Sequence, residues 1–497
     1  MAALCIVALL AATVCDALRP PLRMTAAVAT RPEKVVVLGA GPSGLVSAIA
    51  LARRGFENIK VYERLEEPPN PASEYWSTFN STNSDRFYLI GINGRGQSAL
   101  KGFDLMDDVE KYSSSVNGRF DWSAEAPVDS PKITIFTDRK YVSKCIIRDR
   151  LNAVLIDKIR RDYSNKIELN FGQECVDISF ERPPEGGAAA EKCRLRFERS
   201  GGAASSQECS FVVGADGVRS LVRERFADAN KGFRFCAFAD KNVRVYRTIP
   251  FSPPKGWRKD VNYSCRTKYD VNFDALPTRE GTYIGVLLYR PHDSRVTGIA
   301  SGREAREFFR EHLPQFADLF SDNDLERFAM KKESRFPSFT YATNIASSGG
   351  SAALLGDAIH SVKPYFGQGL NSALEDCVYL DRSLVQSGLD VPRALAAYSR
   401  ARSPDAKALV QISRSLDGGF LTFVLPLIVD SVLNKALPRV FAPNKIAMLQ
   451  DQDLSFSHIL RRKRLDRALQ LLLLGGVLRL AQLALHGAAR LAARVLV

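Results

Sequence analysis

The sequence offers no cysteine pair at metal-ligand or redox spacing. Its nine cysteines, at positions 5, 15, 145, 175, 193, 209, 236, 265 and 377, include no CxxC, so they read as buried thiols in a reducing compartment. Five histidines are spread without clustering, and no metal is expected. Acidic residues are outnumbered, 55 Asp and Glu against 69 Lys and Arg, for a formal charge of +14. Such a surplus favours anionic partners: a nucleotide cofactor, an acidic lipid or a carboxylate substrate. It sits largely in the two ends of the chain, and with no nucleic-acid module in the sequence, nucleic acid is not an expected partner. At 497 residues and 45% hydrophobic content the chain is neither disordered nor fibrous, and it has material for two or three packed domains.

What is present begins with a β-branched strand over residues 34–38. It runs into Gly39-Ala40-Gly41-Pro42-Ser43-Gly44, a helical run over 45–54 and a second strand over 59–62 that ends at Glu63. In this βαβ order each glycine has a physical task. Gly39 makes the tight turn, Gly41 lets backbone approach a pyrophosphate, and Gly44 lets helix and strand pack closely, while Glu63 binds a ribose hydroxyl. Dinucleotide binding is the expected function, with Ser43 beside the phosphates at the helix start. The alternative is a glycine-rich turn without a ligand.

A second stretch organises the rest. An apolar strand, 352–355, turns at Gly356-Asp357 and leads through Pro364-Tyr365-Phe366-Gly367-Gln368-Gly369-Leu370-Asn371 into a helix expected to start near Leu370. An aspartate just past a strand end accepts hydrogen bonds from ligand hydroxyls, and N–H groups at a helix start favour an anionic group. A ribityl chain and a reduced flavin ring would use both. An isolated Gly-Asp would be an ordinary βα loop with an N-cap aspartate; the dense run from Pro364 to Asn371 goes beyond that.

These residues, with Glu375-Asp376-Cys377, resemble the second flavin motif of the FAD-dependent aromatic hydroxylases, and within them most resemble the kynurenine 3-monooxygenases. The strand-turn-helix Val212-Val213-Gly214-Ala215-Asp216-Gly217-Val218-Arg219 is similar to the family's Asp-Gly motif, linked to FAD and NADPH. The resemblance implies Asp216 as a polar anchor, Gly217 at the turn and Arg219 toward the pyridine-nucleotide phosphates. It also places Arg148, at the start of a helix after a strand over 141–147, near FAD. Arg119 falls where these enzymes carry an arginine that clamps the substrate carboxylate, its planar fork suiting that role; the alternative is a surface arginine. Phe136 stands nearest the family's substrate tyrosine and lacks its hydroxyl. A second departure is Ser413-Arg414-Ser415-Leu416-Asp417-Gly418, where a Tyr-Asn-Tyr-x-Glu run is expected, so the substrate stays open between kynurenine and another amphipathic, lipid-soluble or plastid aromatic molecule.

The fold this implies is α/β: a Rossmann-type FAD-binding domain with an inserted, mostly antiparallel substrate sheet and a helical C-terminal tail. The expected division is a targeting segment over 1–33, a discontinuous FAD-binding domain over 34–85, 143–230 and 337–400, and a substrate domain over 86–142 and 231–336. A helical region over 401–467 and a membrane-associating amphipathic helix over 468–497 follow. One long amphipathic helix is expected over 303–320. The family's activity implies FAD reduction by NADPH (or NADH), reaction with molecular oxygen to a flavin hydroperoxide, and transfer of one oxygen atom to a small-molecule substrate. The protein's part would be to stabilise the reduced ring at the helix start over 367–371, exclude water with Pro364, Tyr365 and Phe366, and orient the substrate. No side-chain acid, base or nucleophile is evident. Two other classes stay open: a same-fold flavin reductase or dehydrogenase acting on a prenyl or other lipid-soluble substrate, and a non-catalytic flavoprotein.

The ends carry separate signals. Residues 2–14 are an apolar run ending in Cys15-Asp16-Ala17, followed by a basic segment with Arg19, Arg23, Arg31 and Lys34. This resembles the bipartite presequence of proteins sent to plastids in algae with secondary plastids; a secretory route or a membrane anchor is the alternative. The tail over 468–497 has no acid, and its longest uninterrupted apolar run, 471–478, is too short to span a bilayer. Arg479, Gln482, His486, Arg490 and Arg494 form a polar stripe, so the tail reads as a helix in the headgroup region of an anionic membrane. The alternative is a helix packed on the protein's own core.

Overall fold

The computed structural model describes residues 32–495, apart from 78–87, 125, 138, 182–190, 200, 201, 203, 230, 231, 241, 348, 365 and 366. The expected targeting segment therefore lies almost wholly outside the described residues, as do Tyr365 and Phe366.

Strands rich in Val, Ile and Leu can be buried on both faces, which is the pattern of a parallel sheet. Five such strands pair side by side in the order Ala352–Leu354, Phe211–Gly214, Val35–Leu38, Ile59–Tyr62 and Ile167–Asn170, all parallel. Helices Pro42–Arg53, Arg148–Asp162 and Gln368–Gln386 contribute to the same core, where Val36, Leu45, Leu155 and Leu374 are fully buried. Pro42 stands in the first turn of its helix, where its missing N–H leaves no bond unmade.

A second sheet of seven strands runs Ser334–Arg335, Val245–Phe251, Tyr283–Tyr289, Asn272–Pro277, Val261–Arg266, Gly118–Trp122, Lys132–Ile135. It is antiparallel at every step but one, Val261–Arg266 beside Gly118–Trp122. Alternation along its strands gives it two faces. Phe251, Tyr263, Phe273 and Tyr283 pack with Phe309, Phe316 and Phe328 from the 302–330 helices. The opposite face carries Tyr246, Asn262, Asn272, Asp274 and Leu288 toward a cavity.

Several expectations are corrected. The single helix over 303–320 is two, Gly302–His312 and Pro314–Ala317. Pro314 has no N–H to continue the first helix and suits the first turn of the second. Pro404 lies inside one helix, Val391–Leu416, which runs through the expected boundary at residue 400. No break falls at residue 468, since Phe456–Val495 is continuous. The helix expected from Leu370 begins at Gln368, after Gly367 at φ 62°.

The Val391–Leu416 helix is tied to Gln368–Gln386 by a fully buried guanidinium. Arg402 donates to Asp376 at 2.5 Å, to Glu375 and Asp405 at 2.8 Å, and to the Ser372 carbonyl at 2.9 Å. Burial works against its charge, but Asp376, Glu375 and Asp405 outweigh that and hold it well above the ordinary arginine value. Asp376 also accepts from His360 Nε2 at 2.9 Å and from the Gly356 N–H at 2.7 Å. Because removing one partner strands buried charge, Arg402→Ala is expected to lower stability by about 3–5 kcal/mol in urea unfolding; a change near zero would show that the carboxylates find other partners.

Candidate functional site

One cavity of about 2040 Å³ collects the motifs. It is several times larger than the roughly 300–1,000 Å³ of a pocket for one small ligand. Gly39, Gly41, Ser43 and Glu63 line it from the first strand and helix. Gly39 has φ 98°, and a Cβ there would meet the Ala215 carbonyl at 2.4 Å; a Cβ on Gly44 would meet the Gly39 carbonyl at 1.9 Å. Gly44 is thus a packing glycine and does not line the cavity. Gly41 differs, with nothing within 4 Å of its Cβ position. Glu63 accepts from the Ala40 N–H at 2.9 Å and the Leu65 N–H at 3.0 Å, which fixes the loop at the strand end.

Asp216 and Gly217 form the next wall. Asp216 Oδ2 accepts from the Val222 N–H at 3.1 Å, while its buried Oδ1 has no partner among the described residues. Burial pushes its carboxyl above the ordinary value. Asp357, on the turn Gly356–Ala358, is raised too, by burial, with nearby Asp376 adding to the shift and His360, Arg148 and Arg223 opposing it. Arg223 donates to the carbonyls of Val218 and Ala358, holding the two turns together. A buried Asp216 oxygen without a donor, with Asp357 and an open glycine loop on the same cavity wall, fits a ligand with several hydroxyls and a pyrophosphate.

Pro364, Gly367, Gln368, Gly369 and Leu370 line the cavity from the start of the Gln368–Gln386 helix. Asn371 does not. It is fully buried, and its amide accepts from the Asn93 N–H at 3.0 Å and donates to the carbonyls of Gly91 at 2.9 Å and Gly367 at 2.5 Å. Its part is to fix the loop. Arg148 opens the Arg148–Asp162 helix at the cavity edge, half exposed and donating to Asp149 at 2.9 Å.

The sheet supplies the other wall. Arg119 lines it and is paired with Asp121 on its own strand. Phe136 lines it too, with the Arg139 guanidinium 3.6 Å from its ring centre. Sequence reasoning missed the rest of this wall. Tyr246 stacks on Phe336 at 4.9 Å and stands 6.1 Å from Tyr88, whose hydroxyl burial pushes well up. The signal for Asn272, Asp274 and Leu276 was present in the alternation of Asn272–Pro277, where Phe273, Ala275 and Pro277 are the buried set. Also missed was Lys363, fully buried beside Pro364. It donates to Asp240 at 2.8 Å, Asp417 at 2.9 Å and the Asn242 carbonyl at 2.7 Å, joining the Pro364 loop to the end of the Val391–Leu416 helix. Asp417 and Gly418, from the run that departs from the kynurenine pattern, are on the cavity wall.

Residues 134–413 match the model of the FAD binding domain family. Over 458 residues, 88% of this chain and 93% of the relative, the sequence is 28% identical to a kynurenine 3-monooxygenase of Salinispora arenicola. Two solved structures share the fold. One is 2-methyl-3-hydroxypyridine-5-carboxylic acid oxygenase in a tetrameric form, 20% identical with TM-score 0.58, covering 87% of this chain and 98% of that one. The other is HpxO of Klebsiella pneumoniae complexed with FAD, 18% identical with TM-score 0.58, covering 84% and 98%. The chain belongs to the FAD binding domain family. It is an FAD-dependent monooxygenase, an oxidoreductase, with the fold of these solved structures.

The two glycines separate binding from folding. Gly41→Ala is expected to leave the thermal midpoint of the FAD-free protein unchanged and to weaken FAD about tenfold, or about 1.4 kcal/mol, by titration. Gly44→Ala is expected to destabilise the fold itself by about 1–3 kcal/mol.

Proposed function

We propose that the protein uses NAD(P)H to reduce FAD held on the glycine-loop side of the cavity, and hydroxylates an aromatic or amphipathic small molecule held on the sheet side. The observation that carries this reading is that one cavity joins the Gly39–Gly41 loop, Asp216, Asp357, Pro364, Gly367 and the start of the Gln368–Gln386 helix to the polar face of the seven-stranded sheet. When bound, FAD supplies redox and oxygen chemistry that no side chain here can. The chain's own work is placement. Gly41 would give room for the pyrophosphate and Glu63 would accept from a ribose hydroxyl, while Asp216 and Asp357 would accept from the ribityl chain. N–H groups at the start of the Gln368–Gln386 helix would stabilise negative charge on the ring. Arg119 can leave Asp121 for a substrate carboxylate, a bidentate exchange of equal charge type. Tyr88, Tyr246 and Phe336 offer ring surfaces to an aromatic substrate.

We assign the flavin role to residues 34–85, 143–230 and 337–400 and the substrate role to 86–142 and 231–336. The decisive experiment is anaerobic flavin reduction by NADPH in the FAD-loaded protein, followed at the flavin absorbance band with and without L-kynurenine. Reduction is expected, and a tenfold or greater acceleration, about 1.4 kcal/mol of barrier, identifies L-kynurenine or a close mimic as occupant of the sheet side. Reduction without acceleration directs the search to other substrates. No reduction by NADPH or NADH removes the hydroxylase reading.

The tail supports a membrane location. Phe456–His486 is long and apolar enough to cross a bilayer by length and composition, and none of that stretch's most apolar window is buried. Leu471, Leu472, Leu473 and Leu474 are all exposed, so this part is apolar all round rather than along one stripe. That favours insertion over lying flat. A reductase acting on a lipid-soluble substrate is the second reading this surface favours. Plastid import through residues 1–33 is a further proposal, tested by import of a reporter fused to that segment. Deleting 468–497 is expected to move the protein from the vesicle-bound to the soluble fraction at low salt; an unchanged distribution would sink the membrane role.

A further inference from the structure

The Leu425–Ala436 helix is inside out. Leu421, Leu425, Ile428 and Val432 follow the spacing of one helical face, and all are between 41% and 73% exposed, with Phe420 beside them. The helix's single acid, Asp430, is the buried residue. It meets Lys463 at 3.2 Å and Arg467 at 2.9 Å, and accepts from Gln470 at 3.1 Å. A helix in water turns its apolar stripe to the core and its charge outward; here both are reversed. A contiguous apolar surface of this kind marks an interaction site.

The place of that surface says what covers it. All three partners of Asp430 lie on the Phe456–Val495 helix, and the last, Gln470, is the residue before the exposed apolar stretch from Leu471. The inside-out helix is thus clamped where the tail leaves the body. If the tail enters a bilayer at that point, its neighbour's apolar face is brought to the bilayer surface. Between residues 420 and 470 eight Lys and Arg face four Asp, a balance suited to anionic headgroups. The preceding turn, Phe420–Val424, has one side in solvent at Phe420 and Leu421 and the other, at Phe423, on the cavity wall.

We propose that Phe420–Ala436 is a second membrane-contacting element, a plate seated in the headgroup region of an anionic bilayer, which holds the Phe423 wall of the cavity against the membrane. This rests on the membrane role of the tail, and the test separates the two. FAD-loaded, full-length protein carrying Ile428→Trp is floated with vesicles of phosphatidylcholine and phosphatidylglycerol, with and without brominated acyl chains. Val432→Trp on the same face repeats the measurement. Met330→Trp, on the helix covering the sheet face opposite the cavity, is the control. Brominated lipid is expected to lower the added fluorescence of I428W and V432W by about twofold or more, as for a side chain at acyl-chain depth, and to leave M330W unchanged. Co-flotation with I428W and V432W unquenched overturns the plate while leaving the tail as anchor. The same result with concentration-dependent dimerisation assigns the face to a second copy and also overturns it. Absence of co-flotation removes the tail's membrane role and the plate with it.

Discussion

A buried guanidinium is the constraint on which the cofactor side of the molecule depends. Arg402 neutralises Asp376, and Asp376 in turn accepts from the N–H of Gly356, the residue before Asp357. Burial alone would raise the Asp376 carboxyl, but His360 and Arg402 hold it below the ordinary value. The anion is therefore kept where a backbone donor needs it. Arg95 reaches the same group through Glu375 while donating to the Leu454 carbonyl at 2.7 Å, so the start of the Gly94–Gly102 helix is set by the same charges. Turn, helix starts and C-terminal helices are positioned together by these contacts.

The other wall is held differently. Lys363, itself fully buried, bridges Asp240 and Asp417, linking the loop beside Pro364 to the segment that precedes Val245–Phe251. A buried lysine between two carboxylates adds little net stability by itself, because desolvation offsets most of the attraction. Its value is in register: it sets the Pro364 loop relative to the sheet face that would carry substrate.

The cofactor side was legible because its motifs are local. Gly39, Gly41 and Gly44 lie within six residues, Asp216-Gly217 and Gly356-Asp357 each follow an apolar strand, and in each case the backbone geometry dictates the residue type. The substrate side was not, since it is built from strands far apart in the chain. Tyr246 and Phe336 are brought together by the pairing of Val245–Phe251 with Ser334–Arg335, and Tyr88 reaches them from the chain before Leu89–Ile92, a strand of another sheet; no periodicity within one strand reveals that. Asn371 looked like part of the flavin environment because it ends the motif, yet its amide serves the loop backbone. The C-terminal helices were hard to bound for a related reason. Runs interrupted by Pro426 and Arg479 are short one at a time, and the contacts of Asp430 with Lys463, Arg467 and Gln470 join them only in three dimensions.

The two carboxylates raised by burial, Asp216 and Asp357, tie cofactor loading to folding. A carboxyl with a folded value above its unfolded one stabilises the fold below the unfolded pKa of about 4 and loses that contribution as pH rises through the folded value. At neutral pH the empty protein carries this handicap twice. Hydroxyl donors from a bound ligand favour the charged forms and reverse it. A ligand that binds only the folded chain there would add to conformational stability by mass action, so a loaded chain would withstand proteolysis longer than an empty one.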